Sequence, residues 1–171
     1  MAFCLSEAIE TDRARVRHVV LADLEDLMAV NGDPEVTKFL PYKTWESFDD
    51  ALAWYDRMRG FEATGATIQM VVARRADDVA IGTCLLFRYD EVARSAELGF
   101  VLARSYWRTG IMGEAIGALI ARAFGDMGLQ RLNAVVEPGN AASSGLLRRL
   151  GFAHEGSDEE LDHYALTNRV A

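Results

Sequence analysis

The chain has 171 residues, of which half are hydrophobic and 26% are charged. This composition is typical of a compact globular protein and predicts one domain over residues 1–171. The 18 basic residues are outnumbered by 26 acidic ones, giving a net charge of -8. The balance argues against a nucleic-acid partner, because phosphate binding needs clustered Lys and Arg.

No stretch approaches the ~20 apolar residues of a membrane span. The first residues also lack the pattern of a signal peptide, so we expect a cytoplasmic protein with no membrane partner.

The first third of the chain predicts one strand followed by helices. Residues 13–21 alternate apolar and basic side chains, as a half-buried strand does. Residues 22–30 have helical apolar spacing, and residues 33–41 predict a short helix or turn. Ser47 is a suitable N-cap for a helix over residues 48–58, whose first turn is acidic.

The rest of the chain predicts strands first and then alternating helices and strands. Three strands at short spacing are joined by hairpin loops, namely residues 67–75, 80–89 and 95–103. A long helix over residues 110–127, ended by Gly128, precedes a strand at 131–137 and a helix at 140–150. Two last strands are predicted at 151–156 and 161–168. This order favours an α+β fold with a mixed, mostly antiparallel central sheet flanked by helices.

Glycines punctuate the turn that opens the long helix, in the stretch "WRTGIMG" at residues 107–113. The first N–H groups of a helix lack partners within it and favour an anion there. The turn lacks the GxxxxGK[ST] of a nucleotide P-loop and the GxGxxG of a dinucleotide fold. Taken alone, it is either an anion site or a tight strand-to-helix turn.

A second stretch, "NAASSGLLRRLGF" at residues 140–152, favours the anion site. Together the two stretches resemble the GNAT superfamily of N-acetyltransferases, whose loop is usually (Q/R)-x-x-G-x-(G/A) and is followed later by N-x-x-(A/S) and GF. Trp107 occupies the Gln/Arg position, while Gly110 and Met112 fall at the remaining positions and Arg108 replaces a common glycine. The likeness is greater to the RimJ/RimL-like branch and covers roughly residues 13–155.

The resemblance implies acetyl-CoA as the co-substrate and a fold of the acyl-CoA N-acyltransferase type. Its pyrophosphate would bind to backbone N–H groups in the loop, at Arg108, Thr109, Gly110, Ile111, Met112 and Gly113. Its pantetheine would pair with the strand backbone at Phe100, Val101 and Leu102 if the neighbouring strand diverges. Asn140 and Ser143 are the further cofactor-binding residues that the motif implies.

Proton transfer needs a base and an acid, and the sequence offers candidates for each. Glu97 is the candidate base for the amine, with a structural pairing to an arginine across the sheet as the alternative; Glu137 is a weaker candidate. Many members of the superfamily use a tyrosine seven residues after the asparagine as acid, but Leu147 stands there. Ser143 is therefore the candidate donor to the departing sulfur, with helix capping as the alternative.

Other reactive residue types carry no function in this interpretation. Cys84 lies in an apolar strand with no nearby histidine, so we expect packing and no acyl-cysteine. The three histidines lack metal-ligand spacing, and we predict no metal. Tyr42, Trp45 and Trp54 either line an acceptor cleft or belong to the core, and their periodic placement favours the core.

Three functions are compatible with these residues. The favoured one is acetyl transfer to the α-amine of a protein N-terminus. The second is acetyl transfer to a small amine such as a polyamine or an aminoglycoside, and the third is a non-catalytic acyl-CoA-binding module. The expected partner is an amine acceptor, and the chain is expected to be a monomer or a homodimer.

Overall fold

The computed structural model describes residues 2–169. Its strands are β1 (Ile9–Glu10), β2 (Ala14–His18), β3 (Ile68–Arg74), β4 (Ala80–Asp90), β5 (Ser95–Leu102), β6 (Arg131–Val136), β7 (Ala153–Ser157) and β8 (Asp162–Thr167). Its helices are α1 (Leu24–Asn31), α2 (Pro34–Thr37), α3 (Phe48–Glu62), α4 (Ile111–Phe124) and α5 (Ala141–Arg149). Short 3₁₀ turns cover Leu21–Asp23 and Arg104–Tyr106.

All eight strands form one sheet in the order β1-β2-β3-β4-β5-β6-β8-β7. Every neighbouring pair is antiparallel except β5 and β6, which are parallel. A parallel pair needs a long crossover connection, and α4 supplies it here. The predicted α+β fold with a mixed, mostly antiparallel sheet is confirmed.

The two faces of the sheet carry separate hydrophobic clusters because side chains alternate along each strand. One cluster joins even-numbered strand residues such as Met70 and Leu98 to α4 and α5. The other joins Val71 and Ala80 to α1 and α3. Trp45 and Trp54 are buried in this second cluster, as the prediction of core aromatics requires.

Most predicted elements have the expected type, and two details differ. The two-residue strand β1 is too short for its pattern to stand out in the sequence. The predicted end of the long helix at Gly128 is wrong, because α4 ends at Phe124 with Gly125 as its C-cap. Gly128 lies in the turn that follows, with a φ of 68°, and Leu129 then donates to the Ala123 carbonyl. A left-handed glycine thus closes the turn after the helix instead of the helix itself.

Among residues 2–169, no helix combines the length and the apolar character that crossing a membrane requires.

Candidate active site

The central strands β5 and β6 pair over only three residues each. Their register joins Ser95 to Arg131, Ala96 to Leu132 and Glu97 to Asn133. Within the described chain, the rest of β5 has no strand partner on that side, although its other edge stays paired with β4 as far as Leu102. The two strands are unpaired beyond Glu97, and the unpaired stretch between them is called the cleft below. The pantetheine prediction needs such an open strand edge.

Backbone alternation decides which groups face the cleft. The Ala103 N–H donates to the Ile81 carbonyl, which fixes the direction of its polar groups toward β4. Successive residues of a strand point their N–H and C=O groups to opposite sides. Val101 thus turns its polar groups toward β4, while Phe100 and Leu102 turn theirs toward the cleft. An extended ligand that carries amide groups can therefore form hydrogen bonds with this open edge.

Trp107 contacts the far end of the open edge. Its indole Nε1–H donates to the Leu102 carbonyl at 2.8 Å, and 42% of the residue is exposed. One of the acceptors at the cleft is therefore already engaged within the chain. The sequence placed Trp107 at a loop motif position but did not indicate this hydrogen bond.

The loop at residues 107–113, called the cofactor loop after its predicted role, has backbone N–H groups suited to an anion. Gly110 is the N-cap of α4 with a φ of 81°, in the left-handed region. Arg108 has a φ of 63°, which explains why glycine is common at that position in the resembling family. In the part of the chain that the structure describes, no hydrogen bond engages the N–H groups of Arg108, Gly110, Met112 and Gly113. These four donors are available to an anion.

The loop is fixed from the side of β2. Arg13 donates through Nη1 to the Thr109 carbonyl at 2.9 Å and through Nε to the Glu114 carboxylate at 2.8 Å. Thr11 donates its hydroxyl proton to the same carboxylate at 2.6 Å. Hydrogen bonds from Thr11 and from the backbone and side chain of Arg13 lower the pKa of Glu114 to about 2, despite partial desolvation. A charged clamp thus ties the first turn of α4 to β2, and sequence reasoning missed it because the partners lie about 100 residues apart.

This clamp predicts a pH-dependent contribution to stability. Because the pKa of Glu114 is lower in the folded chain than its ordinary 4.5, the contribution is present above pH 4.5 and declines as the pH falls toward 2. Glu114→Gln is expected to lower the free energy of unfolding by about 1 kcal/mol at pH 7, a value kept small because Arg13 is half exposed. Urea unfolding of both proteins from pH 7 to pH 3 measures the difference, which should shrink below pH 4.5. A constant difference would assign the loss to packing.

Helix α5 begins beside α4. The β5 and β6 strands are parallel, so the helices that follow them start at the same edge of the sheet. A Cβ placed on Gly113 would lie 3.3 Å from Leu146 Cδ1, so the first turn of α4 packs closely on α5. Both helix N-termini therefore border the cleft.

Asn140, and not Ser143, caps α5. The Asn140 Oδ1 accepts the Ser143 N–H at 3.2 Å, and the Ser144 hydroxyl donates to the Asn140 carbonyl at 3.0 Å. Among the described residues, no hydrogen bond engages the Ser143 hydroxyl, which is partly exposed. The capping role that was the alternative for Ser143 thus belongs to its neighbours, and its hydroxyl is free to donate elsewhere.

Glu97 lies on the last paired residues before the cleft opens. It is 9% exposed, and its Oε2 accepts from Arg88 Nη1 at 2.8 Å. Arg88 belongs to the paired strand β4, has a φ of 53° and is largely exposed. The arginine pairing that was the alternative for Glu97 is therefore present.

The structure also places Cys84, Glu137 and the possible metal ligands. Cys84 is fully buried, and desolvation raises the pKa of its thiol to about 12, which leaves no thiolate for acyl transfer near neutral pH. Glu137 is exposed, and only its backbone carbonyl contacts Asn140. No cluster of three or more His, Cys, Asp or Glu suited to a metal ion occurs within residues 2–169.

Comparison with known proteins decides the family. The acetyltransferase (GNAT) domain family matches residues 13–153. The chain belongs to the GNAT family. The uncharacterized N-acetyltransferase YoaA of Bacillus subtilis is 30% identical over 148 residues, covering 86% of this chain and 84% of that protein. The prediction of a GNAT acetyltransferase is confirmed, which favours an enzyme over a non-catalytic acyl-CoA-binding module.

Solved structures of this GNAT acetyltransferase fold include proteins with two kinds of acceptor in their names. A putative ribosomal-protein-serine acetyltransferase from Vibrio cholerae superposes with a TM-score of 0.81 at 21% identity, covering 95% of this chain and 98% of that one. Spermidine N-acetyltransferase from Vibrio cholerae, in complex with CoA and spermine, gives 0.78 at 19% identity, covering 92% and 96%. These likenesses show the fold.

Proposed function

We propose that this GNAT acetyltransferase transfers the acetyl group of acetyl-CoA to a primary amine, preferentially the α-amine of a protein N-terminus, by direct attack in a ternary complex. The observation that carries the proposal is the cleft between β5 and β6, which opens beside the free N–H groups of the cofactor loop. A diphosphate fits those donors, and a chain of amides fits the open edge at Phe100 and at the N–H of Leu102, whose carbonyl accepts from Trp107. The CoA bound to a protein of the same fold supports this choice of co-substrate.

The reaction forms one bond and breaks another. The amine nitrogen attacks the thioester carbonyl, the C–S bond breaks, and CoA leaves as a thiolate. Glu97 accepts the proton that the amine loses, directly or through water, and Ser143 donates a proton to the thiolate. An α-amine suits this arrangement because its reference pKa is near 8, whereas that of a lysine or polyamine is near 10.4. At neutral pH a larger fraction of an α-amine is already neutral than of a lysine or polyamine amine. The enzyme must then deprotonate a smaller fraction of the acceptor molecules.

A small-amine acceptor is the second candidate, since the net charge of -8 favours cationic substrates. One acceptor screen separates the two. Peptides with free α-amines, N-terminally blocked peptides with lysine, polyamines and aminoglycosides are assayed side by side for CoA release. Turnover of free-amine peptides at least tenfold above the other classes is the expected result. A preference for polyamines would select the second candidate, and no CoA release with any acceptor would contradict both. The cytoplasmic location is a further part of this proposal.

The cofactor loop is tested at Gly110. Gly110→Val forces a β-branched residue into the left-handed region, so the loop must shift and its N–H groups lose their common direction. We expect the acetyl-CoA affinity to fall tenfold or more, measured by calorimetry.

Gly65 is the matched control for this variant. Its φ of 75° is close to that of Gly110, and its Cβ position is open, whereas a Cβ on Gly110 would lie 3.5 Å from Arg13 Nη2. Gly65 precedes Ala66, whose carbonyl accepts the Tyr89 N–H at the far end of β4. Gly65→Val therefore imposes similar backbone strain without touching the loop, and its acetyl-CoA affinity should stay at the wild-type value. If Gly110→Val binds acetyl-CoA as tightly as Gly65→Val and the wild type, the Gly110 turn has only a structural role.

A further inference from the structure

We propose that Arg104 is a positioning residue that couples the helix pair α1–α2 to the cofactor loop through Asp33. CoA bound at the loop thereby stabilises α1–α2, which lie on the sheet face toward which Glu97 points. It rests on the proposed function only in requiring that CoA binds at residues 107–113.

The contact between the two segments is bidentate. Arg104 Nε donates to Asp33 Oδ2 at 2.7 Å, and Arg104 Nη2 donates to Asp33 Oδ1 at 2.7 Å. Two parallel hydrogen bonds fix the relative orientation of the planar groups as well as their distance. The Asp33 side chain is 18% exposed and the Arg104 side chain 55%, so the arginine is the more solvent-exposed partner.

Asp33 and Arg104 are each hydrogen-bonded within the segment that they connect to the other. Asp33 is the N-cap of α2, where its Oδ1 also accepts the Glu35 N–H at 3.0 Å. Arg104 opens the 3₁₀ turn before the loop, and its carbonyl accepts the Trp107 N–H at 3.1 Å. Thr109 then donates to the Tyr106 carbonyl at 2.7 Å. A displacement of the loop backbone thus reaches Asp33 through consecutive hydrogen bonds.

A cavity beside the Asp33–Arg104 pair makes the pair important for the alignment of the two segments. An open cavity of about 620 Å³ lies between α1 and the turn, and its lining includes Asp26, Val30, Ile81, Asp33, Arg104 and Tyr106. Across the described chain, Asp33 and Arg104 form the sole ion pair between residues 24–37 and residues 103–113. With a cavity beside them, the two segments depend on this pair for part of their alignment.

Hydrogen exchange of the full-length chain, with and without saturating CoA, tests the coupling. In the wild type, CoA should slow exchange in residues 103–113 and also in residues 24–37. In Arg104→Gln, protection of residues 103–113 should persist, that of residues 24–37 should disappear, and the Kd for CoA should rise about fivefold or more. Arg104→Lys should be intermediate, because an ammonium cannot make the bidentate contact.

Two further variants separate coupling from general damage. Asp33→Asn keeps a good N-cap for α2 but removes the charge, so it should reproduce Arg104→Gln without loss of the helix. Arg122→Gln breaks the exposed Arg122–Asp126 pair in the last turn of α4 and should leave both protections at wild-type levels.

The outcomes distinguish this inference from the proposed function. The coupling is overturned if CoA does not protect residues 24–37 in the wild type. It is also overturned if CoA protects them equally in Arg104→Gln, Asp33→Asn and the wild type. Either result leaves CoA binding in place. Absence of protection at residues 103–113 in the wild type overturns the cofactor site itself, and the coupling with it.

Discussion

Glu97→Gln is expected to lower turnover about 10²-fold near neutral pH, because it keeps the shape of the side chain and removes the proton acceptor. The loss should partly recover as rising pH deprotonates the amine without help. An α-amine acceptor should recover at a pH lower by roughly 2.5 units than a lysine or polyamine, since their reference pKa values differ by that amount. Rates measured from pH 6 to pH 10.5 therefore test the base and indicate the acceptor class together.

Arg88 offers the control for this experiment. Glu97 and Arg88 form one ion pair, so a purely structural pair predicts similar losses of stability and turnover for Glu97→Gln and Arg88→Gln. If Glu97 is the base, Arg88→Gln should keep most of the turnover, because the carboxylate is still present. A loss in Glu97→Gln that does not vary with pH would assign Glu97 to the ion pair alone.

Ser143→Ala is expected to reduce kcat about 10²-fold with a smaller change in the KM for acetyl-CoA. The reason is the free hydroxyl at the first turn of α5, since the Ser143 backbone N–H is already satisfied by Asn140. Without a donor, the thiolate must take its proton from water. Steady-state kinetics at several acetyl-CoA concentrations separate kcat from KM.

The next residue along α5 provides the matched comparison for Ser143. Ser144 donates to the Asn140 carbonyl and so supports the helix start without a free hydroxyl. Ser144→Ala should lower stability slightly and leave kcat near the wild-type value. Near wild-type turnover in Ser143→Ala would instead leave the sulfur to be protonated by solvent.

The sequence was sufficient to predict features that depend on local pattern. Helix spacing, glycine turns and the Asn140 cap all act over a few residues, and the elements they predict are present. The length of α4 was overestimated because Gly125 and Gly128 are both plausible stops, and the choice between them depends on how the following turn meets β6.

Contacts between distant segments were not predictable in the same way. Thr11 and Arg13 meet Glu114 only because β2 lies beside α4 in the folded chain. The pairing of Arg88 with Glu97 needs the register of β4 on β5, which a bulge after Phe87 alters. The sequence offered an arginine across the sheet as the alternative role for Glu97, but it could not indicate which arginine.

The three-residue contact between β5 and β6 has a mechanical consequence. Within the sheet, these three pairs are what joins β1–β5 to β6, β8 and β7. Any widening of the cleft would therefore be smallest at Glu97, on the last joined pair, and larger toward Leu102. A change of cleft width would then leave the position of Glu97 nearly unchanged.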